Sequence, residues 1–147
     1  MAGKPHIYFN KCNEKAIIPS RRAGDVGYDL YALEEDIVLE AHEVRKFDTG
    51  LRAIIDPGYA VIFKDRSSLG SKGIRVGAGV VDSSYRGNWI VALINENDRP
   101  FVFPKGKAIA QFILVEDLDS TIHEISADEF EKNTTERGTG GFGSSGK

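Results

Sequence analysis

The sequence predicts an all-β domain, a sandwich or a barrel, on three observations. Short apolar or alternating runs recur along the chain, turn-forming residues stand between them, and helix signals are weak. In order, the runs are Asp36 to Leu39, Val44 to Phe47, Leu51 to Ile55, Tyr59 to Phe63, Ile74 to Val76, Trp89 to Ile94, Phe101 to Phe103, Ala108 to Val115 and Thr121 to Ile125. Asp56-Pro57-Gly58 and Pro104-Lys105-Gly106 supply hairpin turns, because proline fixes φ and the following glycine takes a positive φ. Two short helices are expected. One is capped by Asp65 and runs through Ser67 to Leu69; the other, Ser126 to Lys132, carries the capping box Ser126/Glu129. Neither makes a helical core.

A chain of 147 residues with net charge −3 is expected to form one domain that buries roughly two-thirds of its unfolded surface. Its Lys and Arg residues are spread along the chain, so no nucleic-acid footprint is expected, though a small anion can still find a local basic site. Cys12 stands alone, which excludes an internal disulfide and any multi-cysteine metal site and fits a reducing compartment. MAGKPHIYFNK has no apolar leader core, and no apolar run reaches membrane-spanning length. The expectation is a soluble cytoplasmic, nuclear or virus-encoded protein, neither secreted nor membrane-bound. His6, His42 and His123 fit no ligand spacing or triad and read as surface or satisfied strand residues; Trp89 reads as core or subunit interface.

Four internal segments are more specific than generic β structure. Ala23 to Leu30 places glycines before a strand, with Asp25 and Asp29 as turn formers or ligands. Lys64 to Gly70 follows an apolar run with Arg66, Ser67 and Ser68, a guanidinium fork and two hydroxyls that suit phosphate oxygens; a plain helix cap uses the same residues. Gly77 to Asn88 sets glycines, Gly79 among them, beside a short apolar strand, where a backbone approaches a ligand closely. Asp82 and, three residues later, Tyr85 then offer a carboxylate and a ring, or simply a hairpin turn. In Lys105 to Phe112, Gln111 is a polar residue inside an apolar strand and needs a partner from protein, water or ligand.

The chain closes on Arg137 to Lys147, RGTGGFGSSGK. Gly138, Gly140 and Gly143 satisfy G-x-G-x-x-G, and Gly141 to Lys147 begins like a P-loop, but neither pattern has the helix it requires. A Gly/Ser tail is the plain alternative.

In order, AGDVGYDL, DRSSLG, GAGVVDSSYRG, KGKAIAQF and RGTGGFGSSG resemble the five motifs of the trimeric deoxyuridine triphosphatase (dUTPase) family, across residues 23 to 146. The resemblance implies a jelly-roll-like β-barrel over residues 1–136, a homotrimer with shared active sites, and a glycine-rich lid over 137–147. It implies Mg²⁺-assisted hydrolysis of dUTP to dUMP and pyrophosphate, limiting uracil incorporation into DNA and supplying dUMP for thymidylate synthesis. Asp82 matches the general base for in-line water attack on the α-phosphorus, and Asp29 the residue that meets Mg²⁺ through water. Arg66, Ser67, Ser68 and Gln111 match phosphate ligands, Gly79 the uracil-reading hairpin, and Tyr85 the ring beneath deoxyribose. Arg137 matches a terminal-phosphate contact, Phe142 a ring stacked on uracil, and Gly143 part of the closing lid.

The sequence departs from the family at Asp65, where many relatives have proline, and at Ser68, where many have glycine. A related deaminase of dCTP shares the Arg-Ser-Ser segment, but its catalytic glutamate falls on Ala92 and it lacks the Arg/Phe tail. A binding module on the same barrel, regulatory instead of catalytic, is the reading from a different class.

Overall fold

A computed structural model describes residues 3–143. Met1, Ala2 and the stretch Ser144 to Lys147, with which the tail and its P-loop-like pattern end, lie outside the described residues. The order is β1 (Ile7–Lys11), β2 (Tyr28–Leu30), β3 (Val38–Leu39), β4 (Val44–Asp48), β5 (Leu51–Ile55), β6 (Tyr59–Lys64), α1 (Ser67–Gly70), β7 (Ile74–Gly77), β8 (Val80–Val81), β9 (Ile90–Asn95), β10 (Phe101–Val102), β11 (Ala110–Glu116) and α2 (Ala127–Glu131). The domain is mostly β with two short helices, as composition and spacing predict.

Strands pair antiparallel in four sheets, ordered β1-β5, β10-β3, β2-β11-β6-β8 and β4-β9-β7. Alternation decides which face is inside: in β5, Leu51, Ala53 and Ile55 are buried while Arg52 and Ile54 face out. The predicted turns form with Gly58 at φ +90° and Gly106 at φ +71°, a region glycine enters without steric cost.

Trp89 is the hub of the core. Its indole meets Phe9, Phe63 and Phe112 edge-on, at centroid distances of 5.0, 5.4 and 5.2 Å. Each such pair contributes about 0.5–1.5 kcal/mol beyond its buried area. Buried Asn95 is satisfied by the carbonyls of Leu39, Glu40 and Arg99, which fixes the strap after β9.

Three local expectations differ from the fold. The run Thr121 to Ile125 is not a strand: it pairs with nothing among the described residues, and Ile122 is 91% exposed. β1 was not anticipated, because its two inward residues, Ile7 and Phe9, make too short an alternation to stand out. Asp65 does not cap α1. Arg66 holds the N-cap position without a side-chain cap, and Asp65 Oδ1 instead accepts the Val76 N–H at 2.6 Å. Ser126 does cap α2, its Oγ accepting the Glu129 N–H at 3.2 Å.

Candidate active site

Register builds the site. Gln111 of β11 lies opposite both Asp29 of β2 and Lys64 of β6, so the first, second and fourth specific segments converge at one end of the central sheet. There a cleft of about 510 Å³ is lined by Ser20, Arg21, Arg22, Asp25, Gly27, Asp29, Arg66, Ser67, Ser68 and Gln111. Three guanidiniums face two carboxylates in this wall, so the cleft carries a net positive charge suited to a polyanion.

Arg66 and Gln111 are held from behind. Arg66 Nε is 3.7 Å from Asp29 Oδ1, and Arg66 Nη1 donates to the Ala108 carbonyl at 3.1 Å. A guanidinium has five N–H donors, more than these contacts consume. Ser67 and Ser68 open α1 and are exposed. Gln111 finds the partner a polar strand residue needs: its Nε2 donates to the Asp65 carbonyl at 2.8 Å. Its Oε1 fills the space where a Cβ on Gly27 would stand.

Arg21, Arg22 and Ser20 are wall residues that sequence reasoning missed. Arg21 lies over the Tyr28 ring, 4.6 Å from its centroid, and its Nη1 donates to the Asp25 carbonyl at 2.8 Å and to that of Val26 at 3.3 Å. Tyr28 in turn stacks on Phe112 at 4.8 Å, so the loop before β2 is braced against the core. Arg22 pairs with Asp25 at 3.3 Å. The adjacent arginines ahead of a glycine-punctuated turn were the available signal.

The remaining predicted residues stand elsewhere. β8 is the strand farthest from β2 in the sheet order β2-β11-β6-β8. By register Asp82, just past β8, falls near Ala60 and Val115, four residues along β11 from Gln111. Three strand spacings across and about four residues along separate Asp82 from Asp29 by roughly 20 Å. Gly79, at φ +109°, is pressed on Phe63, whose N–H donates to the Gly79 carbonyl at 2.8 Å, and a Cβ there would lie 3.1 Å from that of Phe63. Tyr85, half-exposed, donates its hydroxyl to the Asn88 carbonyl at 2.9 Å, and its ring lies where a Cβ on Gly87 would stand. Arg137 Nε donates to the Gly140 carbonyl at 2.7 Å, while Phe142 is fully exposed beside Gly143. Every residue from 116 to 139 is exposed, including Leu118, Ile122 and Phe130.

Within one protomer, then, Asp29, Arg66, Ser67, Ser68 and Gln111 are brought together. Gly79, Asp82, Tyr85, Arg137, Phe142 and Gly143 are not part of that cleft.

A dUTPase family model matches residues 13–146. The chain is 38% identical over 145 residues to the deoxyuridine 5'-triphosphate nucleotidohydrolase of Nautilia profundicola, covering 96% of this chain and 99% of that protein. It is 42% identical over 128 residues to the protein of the same name from Pseudomonas entomophila, covering 84% and 82%. Its fold matches that of the Staphylococcus bacteriophage 80alpha dUTPase with dUPNHPP at a TM-score of 0.82 and 25% identity, over 97% of this chain and 99% of the other. With 134 of its residues inside the family model and near-complete overlap with a curated relative, the chain belongs to the dUTPase family.

Proposed function

We propose that this chain is a dUTP diphosphatase, releasing dUMP and pyrophosphate, that works as a homotrimer with sites shared between subunits. The observation that carries the reading is the cleft of Arg66, Ser67, Ser68 and Gln111 beside Asp29, a phosphate grip in a member of the dUTPase family. Binding would place the triphosphate against these donors, which offset its charge and hold the α-phosphorus still.

Asp82 is the proposed general base, taking the proton of the attacking water as the bond to the leaving pyrophosphate breaks. Its distance from the grip within one protomer supports a site completed by a neighbour, since a base must come within hydrogen-bond reach of its water. From that neighbour the Gly79 hairpin would read the uracil edge and Tyr85 would lie beneath deoxyribose, where a 2′-hydroxyl meets the ring. The exposed arm from residue 116 onward supports the same assembly, because Leu118, Ile122 and Phe130 leave most of their apolar surface uncovered and another surface would bury it. In this reading residues 1–136 form the jelly-roll-like barrel and its arm, and 137–147 are a lid bringing Arg137, Phe142 and Gly143 over the nucleotide.

The residues fit Mg²⁺. The donors at the cleft are hard oxygens with Asp29 half-exposed among them, and no group of three or more His, Cys, Asp or Glu side chains is found among the described residues. That suits a cation held largely by phosphate oxygens and water, with Asp29 meeting its hydration shell. When bound, Mg²⁺ supplies neutralisation of phosphate charge.

The test is pyrophosphate release from dUTP, dTTP, dCTP and UTP, each with Mg²⁺ and with EDTA. Metal-dependent release from dUTP alone is expected. No release from a folded protein would leave a binding module on this fold, and ammonia release from dCTP would make it a deaminase.

A further inference from the structure

We propose that Asp65 is a positioning residue for the phosphate grip, acting through the Arg66–Ser68 turn and through Gln111; this rests on the reading of the cleft as a triphosphate site. The sequence raises the question, because Asp65 puts a negative charge next to residues that receive phosphate. The structure turns that charge away. Asp65 is not part of the cleft wall. Its carboxylate reaches over the end of α1, with Oδ2 3.4 Å from where a Cβ on Gly70 would stand, and Oδ1 accepts the Val76 N–H at 2.6 Å.

That bond ties the turn to β7. β7 is paired with β9, itself paired with β4, so the anchor is a strand held from its far side. The Asp65 carbonyl meanwhile accepts Gln111 Nε2 at 2.8 Å, so one residue restrains both parts of the grip. A proline at this position would restrain the chain by fixing φ. Asp65 does it with a charge-assisted hydrogen bond to backbone, of the stronger kind. The turn needs such a brace because α1 has four residues and no side-chain cap, too short to hold its own orientation.

The test compares Asp65→Ala, Asp65→Asn and Asp65→Glu in the full-length protein, with steady-state kinetics on dUTP and calorimetric titration of inorganic tripolyphosphate. Asparagine keeps an acceptor for Val76; alanine removes it; glutamate keeps the charge but moves the acceptor by one methylene. Alanine is expected to raise the dUTP KM about tenfold and weaken tripolyphosphate to match, the scale of one lost hydrogen bond to a charged group, with kcat changed less. Glutamate should raise KM as well, and asparagine should stay within about twofold of wild type. Wild-type KM and tripolyphosphate affinity in Asp65→Ala, or in Asp65→Glu should the alanine variant not fold, overturns the proposal. So does an asparagine variant as impaired as the alanine one. Wild-type protein that binds tripolyphosphate without hydrolysing dUTP would instead overturn the functional reading alone.

Discussion

Gln111 occupies the space of a side chain that Gly27 does not have: a Cβ on Gly27 would overlap Oε1 of the Gln111 amide. The two residues come from the first and fourth specific segments, and their fit sets where that amide points. Gly27→Ala should therefore push Gln111 off the Asp65 carbonyl while leaving the strands paired. The expected outcome is a rise in dUTP KM of about tenfold or more, with far-ultraviolet circular dichroism unchanged. Normal KM would mean that Gln111 re-forms its contact from another rotamer.

Asp82→Asn keeps shape and removes the proton acceptor. Turnover should fall roughly 10²–10⁴-fold with nucleotide binding retained, measured by single-turnover kinetics and calorimetry. Arg66→Ala should weaken binding instead. If sites are shared, mixing the two impaired variants in equal amounts and reassembling them, assayed at dUTP too dilute for Arg66→Ala to bind, should restore about a quarter of wild-type activity, since half the sites draw a sound residue at each position. No recovery on mixing would place both residues in one subunit's site.

Tyr85 lies against Gly87 with its hydroxyl on the Asn88 carbonyl. Gly87→Ala should displace the ring and loosen sugar discrimination, so the ratio of kcat/KM for dUTP over UTP should fall by about tenfold or more. Unchanged selectivity would remove the ring from that role.

A chain ending at Glu136 should fold and assemble yet turn over poorly. Of the described residues removed, Phe142 carries the large apolar side chain and it is fully exposed, so thermal denaturation should be unaffected while kcat falls. A truncated protein of full activity would argue against a lid.

Glu43 offers a check on stability away from the cleft. The Arg45 guanidinium, donating from Nε at 2.7 Å, and the Glu40 backbone N–H, donating at 2.8 Å, hold its carboxyl below the usual range. A carboxylate depressed in the folded state adds stability above its unfolded value of about 4.3 and loses it as pH falls through the folded value. Arg45→Met should thus lower the urea midpoint at about pH 7, with the gap to wild type narrowing as pH falls through the folded value of Glu43. A gap independent of pH would assign the loss to packing, since Arg45 also lies 5.5 Å from the Phe47 ring.

Much of this was legible in the chain. β4, β5, β6, β7, β9 and β11 sit within a residue or two of their apolar runs, because one buried face imposes alternation. That Arg66, Ser67, Ser68 and Gln111 belong together was legible too, since a guanidinium, two hydroxyls and an amide share one chemistry, and the fold lines one cleft with them. Arg21 and Arg22 were harder to read, because the signal of an arginine pair ahead of a glycine-punctuated turn does not say where it points until Tyr28 and Asp25 fold it toward the cleft. The run at Thr121 to Ile125 misled for the complementary reason: its pattern is that of a strand, but pairing needs a neighbour that the described residues do not provide. Asp65 reads as a helix cap by spacing, and only the nearness of β7 redirects it.

The separation of Asp82 from Asp29 across the width of the sheet has a quantitative corollary for the proposed trimer. A single subunit holds half of the chemistry twice removed from the other half, so the active species is counted in complexes and not in chains. Specific activity should then depend on protein concentration, falling on dilution through the dissociation range and recovering when nucleotide, bridging subunits in the proposed assembly, draws them together by mass action.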